Sequence, residues 1–535
     1  MPSPGTEDRP FPGWYLLYPC VFALWPPLSF YAHNIDHFRL DALWLPLLAS
    51  LGAAAILQGL VLATVCQPSL AAFKTFGFLF VAFAGGRVCL AGRGTLLPGT
   101  SMDIGVLTAG TTALLALGAL AVRPPRGFER LSTAALAVFS PALLAQPLWT
   151  IVPVERARVQ LTLPRTAAIE PAQAVATFPH IFYLVLDGYA REDVLRDLYG
   201  HDNRPFLDAL ERRGCYVASS AVANYPQTGL SLASSLNLDY LDAWAARLPP
   251  GASDRHVLSE AIGRSRLVDA LRASGYRFVA FSSGYGAAEA RSADQFESLE
   301  RSDAQLELWR GFLASTPVPD LFPLPTPVAA GEERHRRGVL YTFGRLGPLA
   351  RSAGPIFVLA HVVVPHPPFV FDAQGGLPPG PRASFTLADG DAWRANNRKA
   401  PEDYRRAYVP QLQFVNSLTL EAVGAIQAEA SRPVVILVQA DHGPGSALDR
   451  DSVERTNLRE RLAILSAYCF PDRDFAGLYA EISPVNSFRV VLNRYLGRHV
   501  PLLPDRAYFA TWSRPYDFLP VQKAPDGGLS VASPR

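Results

Sequence analysis

Five apolar runs, at residues 14–32, 42–66, 71–91, 103–122 and 131–152, are separated only by short polar breaks, and this succession limits the fold more than any other feature. A run of about 20 residues matches the hydrocarbon thickness of a bilayer, and so many in a row exceed what a soluble core presents. The first run lacks a basic leader and is followed at once by further runs, which argues against a cleaved signal peptide. The expected amino-terminal part, residues 1–153, is therefore an α-helical, multi-span transmembrane domain of about five spans. Lys74 and the cluster Arg123, Arg126 and Arg130 fall in the second and fourth breaks, against Arg39, Arg87 and Arg93 near the first and third. That bias places the amino terminus inside and, after an odd number of spans, everything beyond residue 153 outside.

The remaining sequence narrows the classes further. Across 535 residues, 49% hydrophobic and 18% charged composition is too apolar for a wholly soluble protein. A net charge of +2, with no basic tract or aromatic-basic repeat, argues against a nucleic-acid partner. Cys20, Cys66 and Cys89 sit in the spans as small apolar groups, while Cys215 and Cys469 lie outside them. No C-x-x-C spacing links the outer pair, which excludes a zinc ribbon and leaves a bridge between them open.

Residues 154–179 read as a connector, and 180–535 as a domain in which strand-like runs alternate with helix signals. The runs are 180–186, 215–220, 277–282, 356–361, 434–440 and 462–468. Between the first two, Asp202 or Asn203 as cap, Pro205 in the first turn and Gly214 as stop define a helix. A second helix is expected over 402–428. Alternation of this kind predicts an α/β/α domain with a mostly parallel sheet. The proline-rich stretch 315–331 and the Gly, Pro and polar stretch 372–401 interrupt the pattern, the latter long enough for a lid or an insertion.

Chemistry-bearing residues fall at the ends of these elements. His180-Ile-Phe-Tyr-Leu-Val-Leu-Asp187-Gly188 is a strand without polar alternation, so it is buried on both faces and presents Asp187 at its carboxyl end. The bland reading of that end is an Asp-Gly turn. In Asn224-Tyr-Pro-Gln-Thr228-Gly-Leu-Ser231, Thr228 is expected at a helix amino terminus, where free N–H groups favour an anion or an alkoxide; a plain cap is the alternative. Ser231 is the rival nucleophile, one turn inside. Val434-Val-Ile-Leu-Val-Gln-Ala-Asp441-His442-Gly443 is a second buried strand ending on ligand-type residues. His366 lies in the run Pro365-His366-Pro367-Pro368, which the prolines are expected to hold extended, whereas His361 inside the strand reads as a core histidine. The roles of His361, His335 and His499 stay open.

The order of strand-Asp187-Gly188, Thr228 with its helix, His366 between prolines, and Asp441-His442-Gly443 resembles the alkaline phosphatase superfamily, in its sulfatase-like, lipoteichoic acid synthase and phosphoethanolamine transferase branch of membrane-anchored enzymes. The helix beginning Asn203-Arg-Pro-Phe-Leu and the tail from Ile482 to Gly497 also resemble sulfatase segments, so the likeness covers about residues 180–500. It implies that Asp187, Thr228, Asp441 and His442 ligate one divalent metal ion, Zn or Mn, that Thr228 is the nucleophile, and that His366 faces the substrate. Lipoteichoic acid synthases have Glu in place of Asp187, and Thr228-Gly-Leu-Ser does not provide the C/S-x-P-x-R motif whose Cys or Ser sulfatases convert to formylglycine, which disfavours sulfate ester hydrolysis. The only histidine after His442 is His499, so a single ion is expected.

The function implied is metal-dependent phosphoryl-group transfer at the outer face of the cytoplasmic membrane. A phospholipid donor's head group, of phosphoglycerol or phosphoethanolamine type, would pass through a phosphothreonine to an envelope glycan or lipid acceptor. The alternatives are a membrane-anchored phosphodiesterase or other hydrolase of the same superfamily, and a catalytically dead sulfatase-like scaffold. The expected location is the inner (cytoplasmic) membrane, multi-pass, with a periplasmic or extracellular catalytic domain.

Overall fold

The computed structural model describes the chain except residues 1–12, 36–39, 93–103, 126–127, 161–176, 250, 300–307, 310, 314–315, 318–326, 381–384, 524–527 and 532–535. Arg39, Arg93 and Arg126 therefore lie outside the described residues. The chain divides into two compact units, Met1–Gln160 with Ser302–Pro327, and Leu161–Arg301 with Val328–Arg535.

The first unit is helical, with helices Tyr18–His33, Trp44–Val65, Pro68–Gly92, Ile104–Ala121 and Phe128–Gln160. Each expected apolar run coincides with one of them, but only three stretches among the described residues are long and apolar enough to cross a membrane: Leu40–Val65, Pro68–Gly85 and Leu131–Arg156. Among the described residues three spans are supported, and the count of about five is not confirmed. The helix Tyr18–His33 has only 16 residues and contains Pro26 and Pro27, and the apolar part of the fourth helix, Leu107–Ala121, is also short. Large apolar side chains point outward rather than into a core: Leu114, Leu131, Val138 and Trp149 are 72%, 73%, 71% and 84% exposed. A soluble protein rarely presents so much apolar surface, whereas a lipid environment stabilises it. Lys74, read above as a loop cation, lies inside the helix Pro68–Gly92, is buried, and donates from Nζ to Leu120 O at 2.5 Å. The last helix runs on through 154–160, the start of the expected connector.

The second unit is built on a mixed sheet of β1 (His180–Leu186), β2 (Cys215–Val217), β3 (Arg277–Phe281), β4 (Gln295–Glu297), β5 (Ile356–Val362), β6 (Val434–Gln439) and β7 (Ser466–Cys469). Their order across the sheet is β2-β7-β6-β1-β5-β3-β4. β1 sits at the centre, parallel to β5 and β6, with Tyr183 opposite Leu359 on one side and Leu437 on the other. All seven of its residues are buried, as expected of a strand covered on both faces. β7 runs antiparallel to both β6 and β2, so the sheet is mixed at that edge. Cys215 and Cys469, opposite one another in the β2/β7 pairing, form a disulfide across 254 residues of chain. A separate three-stranded antiparallel sheet, β8 (Ala507–Phe509), β9 (Leu519–Lys523) and β10 (Leu529–Val531), follows.

The strand expected at 462–468 is present as β7, Ser466–Cys469, preceded by isolated bridges at Ala463 and Ile464, with only Leu462 in the helix Leu458–Leu462; β4 was not anticipated. The two expected helices are present as Arg204–Arg212 and Pro401–Glu429. Parallel β1, β5 and β6 end at one edge of the sheet, and this edge gathers Asp187, His361 with His366, and Asp441 with His442.

Candidate metal centre

At the end of β1, the Asp187 N–H still donates to Val362 O at 3.0 Å, so the carboxylate is the last side chain held by the sheet ladder. Gly188 then turns at φ +70°, a conformation glycine adopts without strain, and its N–H donates to Asp441 Oδ1 at 3.2 Å. The same oxygen accepts from the His442 N–H at 2.9 Å, leaving Asp441 Oδ2 to face the site. Gly443 is required here for a second reason: a Cβ would stand 2.0 Å from Glu460 O, so only glycine lets this backbone approach so closely.

Thr228 is the first residue of the helix Thr228–Asn237, after Gln227 in extended conformation, and no side chain caps that end. Its early N–H groups point along the axis, where an anion is favoured. Gln227 is anchored by donating from Nε2 to Ala510 O at 3.0 Å and Thr511 O at 3.1 Å. Ser231 N is taken by Gln227 O, one turn inside the helix.

Four donor atoms converge. His442 Nε2 lies 3.2 Å from Thr228 Oγ1, 3.4 Å from Asp441 Oδ2 and 3.5 Å from Asp187 Oδ1. His442 Nδ1 stands 2.9 Å from Gly443 O; donating there, it leaves the lone pair on Nε2. Asp187 Oδ1 and Asp441 Oδ2 are buried and lack any hydrogen-bond partner. Two such carboxylate oxygens are costly unless a cation compensates them. The distances from His442 Nε2 to the three oxygens, 3.2–3.5 Å, are close to the about 3.3–3.4 Å that separates two ligands of a tetrahedral ion bound at about 2.0–2.1 Å.

His361 competes for the imidazole position. Asp187, His361 and Asp441 also bring ligand atoms within 4.8 Å of one another. His361 Nε2 is 3.0 Å from Asp187 Oδ2, however, and its Nδ1 is buried without a partner. That contact fixes the orientation of the carboxylate. Burial works against ionised Asp187, but the charge of His366, the hydrogen bond from His361 and the charge of His442 outweigh it and hold the carboxyl well below its usual range. Burial, reinforced by Arg461, pushes His442 down toward its neutral, ligating form.

His366 comes close to the centre, its ring centroid 6.3 Å from that of His442. The segment at 365–368 bends rather than running extended, with Val364–Pro365 and Pro367–Pro368 both cis. His366 Nδ1 contacts Pro367 O, and Nε2 stands 3.7 Å from Asp389 Oδ2. Buried Arg461 links these parts, donating to Asp389 Oδ2 at 2.5 Å, Gly443 O at 3.0 Å and Pro226 O at 2.9 Å, with Nη2 3.2 Å from His442 Nε2.

No family model matches the chain, and no curated protein sequence matches it. Among solved structures, the chain is similar to the integral membrane lipooligosaccharide phosphoethanolamine transferase A of Neisseria meningitidis, at 11% identity and a TM-score of 0.41, over 90% of this chain and 94% of that one. The C-terminal periplasmic domain of Escherichia coli EptC in complex with zinc gives 12% identity and a TM-score of 0.40, over 66% of this chain and 96% of that one. Phosphonate monoester hydrolase of Agrobacterium radiobacter gives 14% identity and a TM-score of 0.39, over 62% of this chain and 80% of that one.

All five residues singled out in the sequence, Asp187, Thr228, His366, Asp441 and His442, come together and are buried. His499 is exposed, and His335 places Nε2 3.1 Å from Val363 O. Two participants were missed. Asp389 lies in the stretch read as a lid or insertion, where a lone Asp before Gly carries no local signal. Arg461 stands in the charged run Arg459-Glu460-Arg461, which reads as a solvated face although Arg461 is buried. His361 is buried in the sheet, as read from the sequence, and its Nε2 also contacts Asp187 Oδ2.

Proposed function

We propose that this chain is a metal-dependent phosphoryl-group transferase at the outer face of the cytoplasmic membrane, moving a phospholipid head group of phosphoethanolamine or phosphoglycerol type through a phosphothreonine at Thr228 to a glycan or lipid acceptor. The observation that carries the reading is the convergence of Thr228 Oγ1, His442 Nε2 and the two unpartnered carboxylate oxygens of Asp187 and Asp441. A divalent ion held by these four residues would supply the charge that lowers the hydroxyl's pKa and offsets charge on the phosphoryl oxygens.

The chain's own groups perform the rest. Thr228 Oγ1 attacks phosphorus as its proton passes to water, the bond from phosphorus to the diacylglycerol oxygen breaks, and His366 donates a proton to that oxygen. The first turn of the Thr228 helix holds the anionic group in line. An acceptor hydroxyl then attacks the same phosphorus and restores the Thr228 hydroxyl. The Cys215–Cys469 bridge suits an oxidising compartment outside the cytoplasm.

The test incubates the purified full chain, supplied with zinc or manganese, with head-group-labelled phosphatidylethanolamine and phosphatidylglycerol. Label on Thr228, chased by a glycan or lipid acceptor, supports the reading. Release to water alone would make the chain a hydrolase. Absence of any turnover with every donor would make it a scaffold.

A further inference from the structure

The loops that carry the centre leave three adjacent strands, and beyond the sheet they are braced from one further element. One helix face touches all of them. In Pro401–Glu429, Tyr404, Tyr408 and Gln411 follow one another at spacings of four and three residues, so their side chains share a face. All three are wholly buried. Each directs its polar atoms at the backbone of a different loop.

Tyr408 Oη accepts from the Ala190 N–H at 3.1 Å and donates to Gly188 O at 3.0 Å, clamping the turn that follows Asp187. Gln411 Nε2 donates to His366 O at 3.0 Å and Pro365 O at 3.2 Å, while its Oε1 accepts from Val370 N at 2.8 Å and Phe371 N at 3.2 Å. Tyr404 Oη accepts from the Gly445 N–H at 3.1 Å, two residues past Gly443, and donates to Asp389 Oδ1 at 2.7 Å. Apolar side chains of the same volume would pack as well but could not hold peptide groups at fixed positions. Buried polar groups arranged this way trade stability for geometry.

We infer that Tyr404, Tyr408 and Gln411 are positioning residues of the centre: this helix face sets the separation of the Asp187, His366 and Asp441-His442 loops. Metal affinity and the placement of His366 then depend on it. The inference rests on the proposed metal site, but not on which group is transferred.

The experiment measures zinc affinity of the full chain by chelator competition, together with thermal midpoint and, where turnover is seen, kcat and KM. Tyr408→Phe weakens zinc about 10–100-fold, the range expected when a group that orients ligands is lost. Gln411→Leu keeps zinc affinity within a few-fold and lowers kcat with KM little changed. Thr419→Val, on the same helix with a hydroxyl that bonds only its own Val415 O at 2.7 Å, lowers the midpoint and leaves zinc affinity unchanged. Wild-type zinc affinity in Tyr408→Phe, or equal weakening by Thr419→Val, would overturn the inference. A chain that binds zinc yet transfers nothing would sink the proposed function and leave the positioning role standing. No zinc binding by the unaltered chain would overturn both.

Discussion

Arg461 Nη1 donates to Asp389 Oδ2 at 2.5 Å and to Gly443 O at 3.0 Å, so the helix Leu458–Leu462 bridges the stretch between β5 and the Pro401–Glu429 helix to the loop that bears Asp441 and His442. Burial raises the Asp389 carboxyl, but His366, Arg461 and His442 together bring it down to about 2. The pair is almost fully desolvated, so removing one partner leaves a buried charge. Arg461→Met is expected to cost about 3–5 kcal/mol, read as a lower thermal midpoint and denaturant midpoint of the full chain. A midpoint equal to wild type would show that Asp389 finds another partner.

Thr228→Ala is expected to abolish transfer, by at least about 10³-fold, with little loss of stability. No side chain caps the helix at that position, so the cost to the fold stays below about 1 kcal/mol. Ser231→Ala should keep most activity, because Ser231 sits a turn further in with its N–H bonded to Gln227 O. Mass spectrometry of protein trapped with donor lipid and no acceptor locates the group. Modification at Ser231 would reverse the assignment.

Reduction of Cys215–Cys469, or replacement of both by Ala, is expected to lower stability by about 2–5 kcal/mol, since the bridge closes a loop of 254 residues and ties a short edge strand to β7. Denaturant curves with and without reductant measure it. Identical curves would remove the bridge from the account of stability.

His180 gives the fold an acid limit. Its Nδ1 accepts from the Ile356 N–H at 3.3 Å, which requires the neutral ring, and burial with the nearby Arg432 charge pushes its pKa from 6.5 to about 4. The unfolded chain binds the extra proton first, so this contribution is complete above about pH 6.5 and is lost as the pH falls toward 4. His180→Asn, which keeps an acceptor without a titrating ring, should flatten the slope of stability between those values. Melting curves in a pH series decide it, and an unchanged slope would assign the effect elsewhere.

Much of the fold was legible because the signals are local. β1, β5 and β6 were placed within a residue or so, since unbroken apolar runs ending on Asp or His mark strands covered on both faces. The edge read less well: β2 and β7 are short, and Ala463 and Ile464 before β7 form only isolated bridges. Five spans are not confirmed because two of the described helices are apolar but short, a matter of helix ends rather than composition.

The sequence alone determined the chemistry available: which strand ends carry Asp187 and Asp441-His442, and that Thr228 opens a helix. Only the tertiary structure decided how these residues meet. Strand order puts β5 and β6 on either side of β1, which brings His361 onto Asp187 and His442 Nε2 within 3.5 Å of three oxygens. Asp389, Arg461, Tyr404, Tyr408 and Gln411 join the site through contacts made across long stretches of chain. Their local surroundings resemble those of any polar residue on a helix or loop. What sets them apart is burial against the backbone of loops far away in sequence, and periodicity carries no information about that.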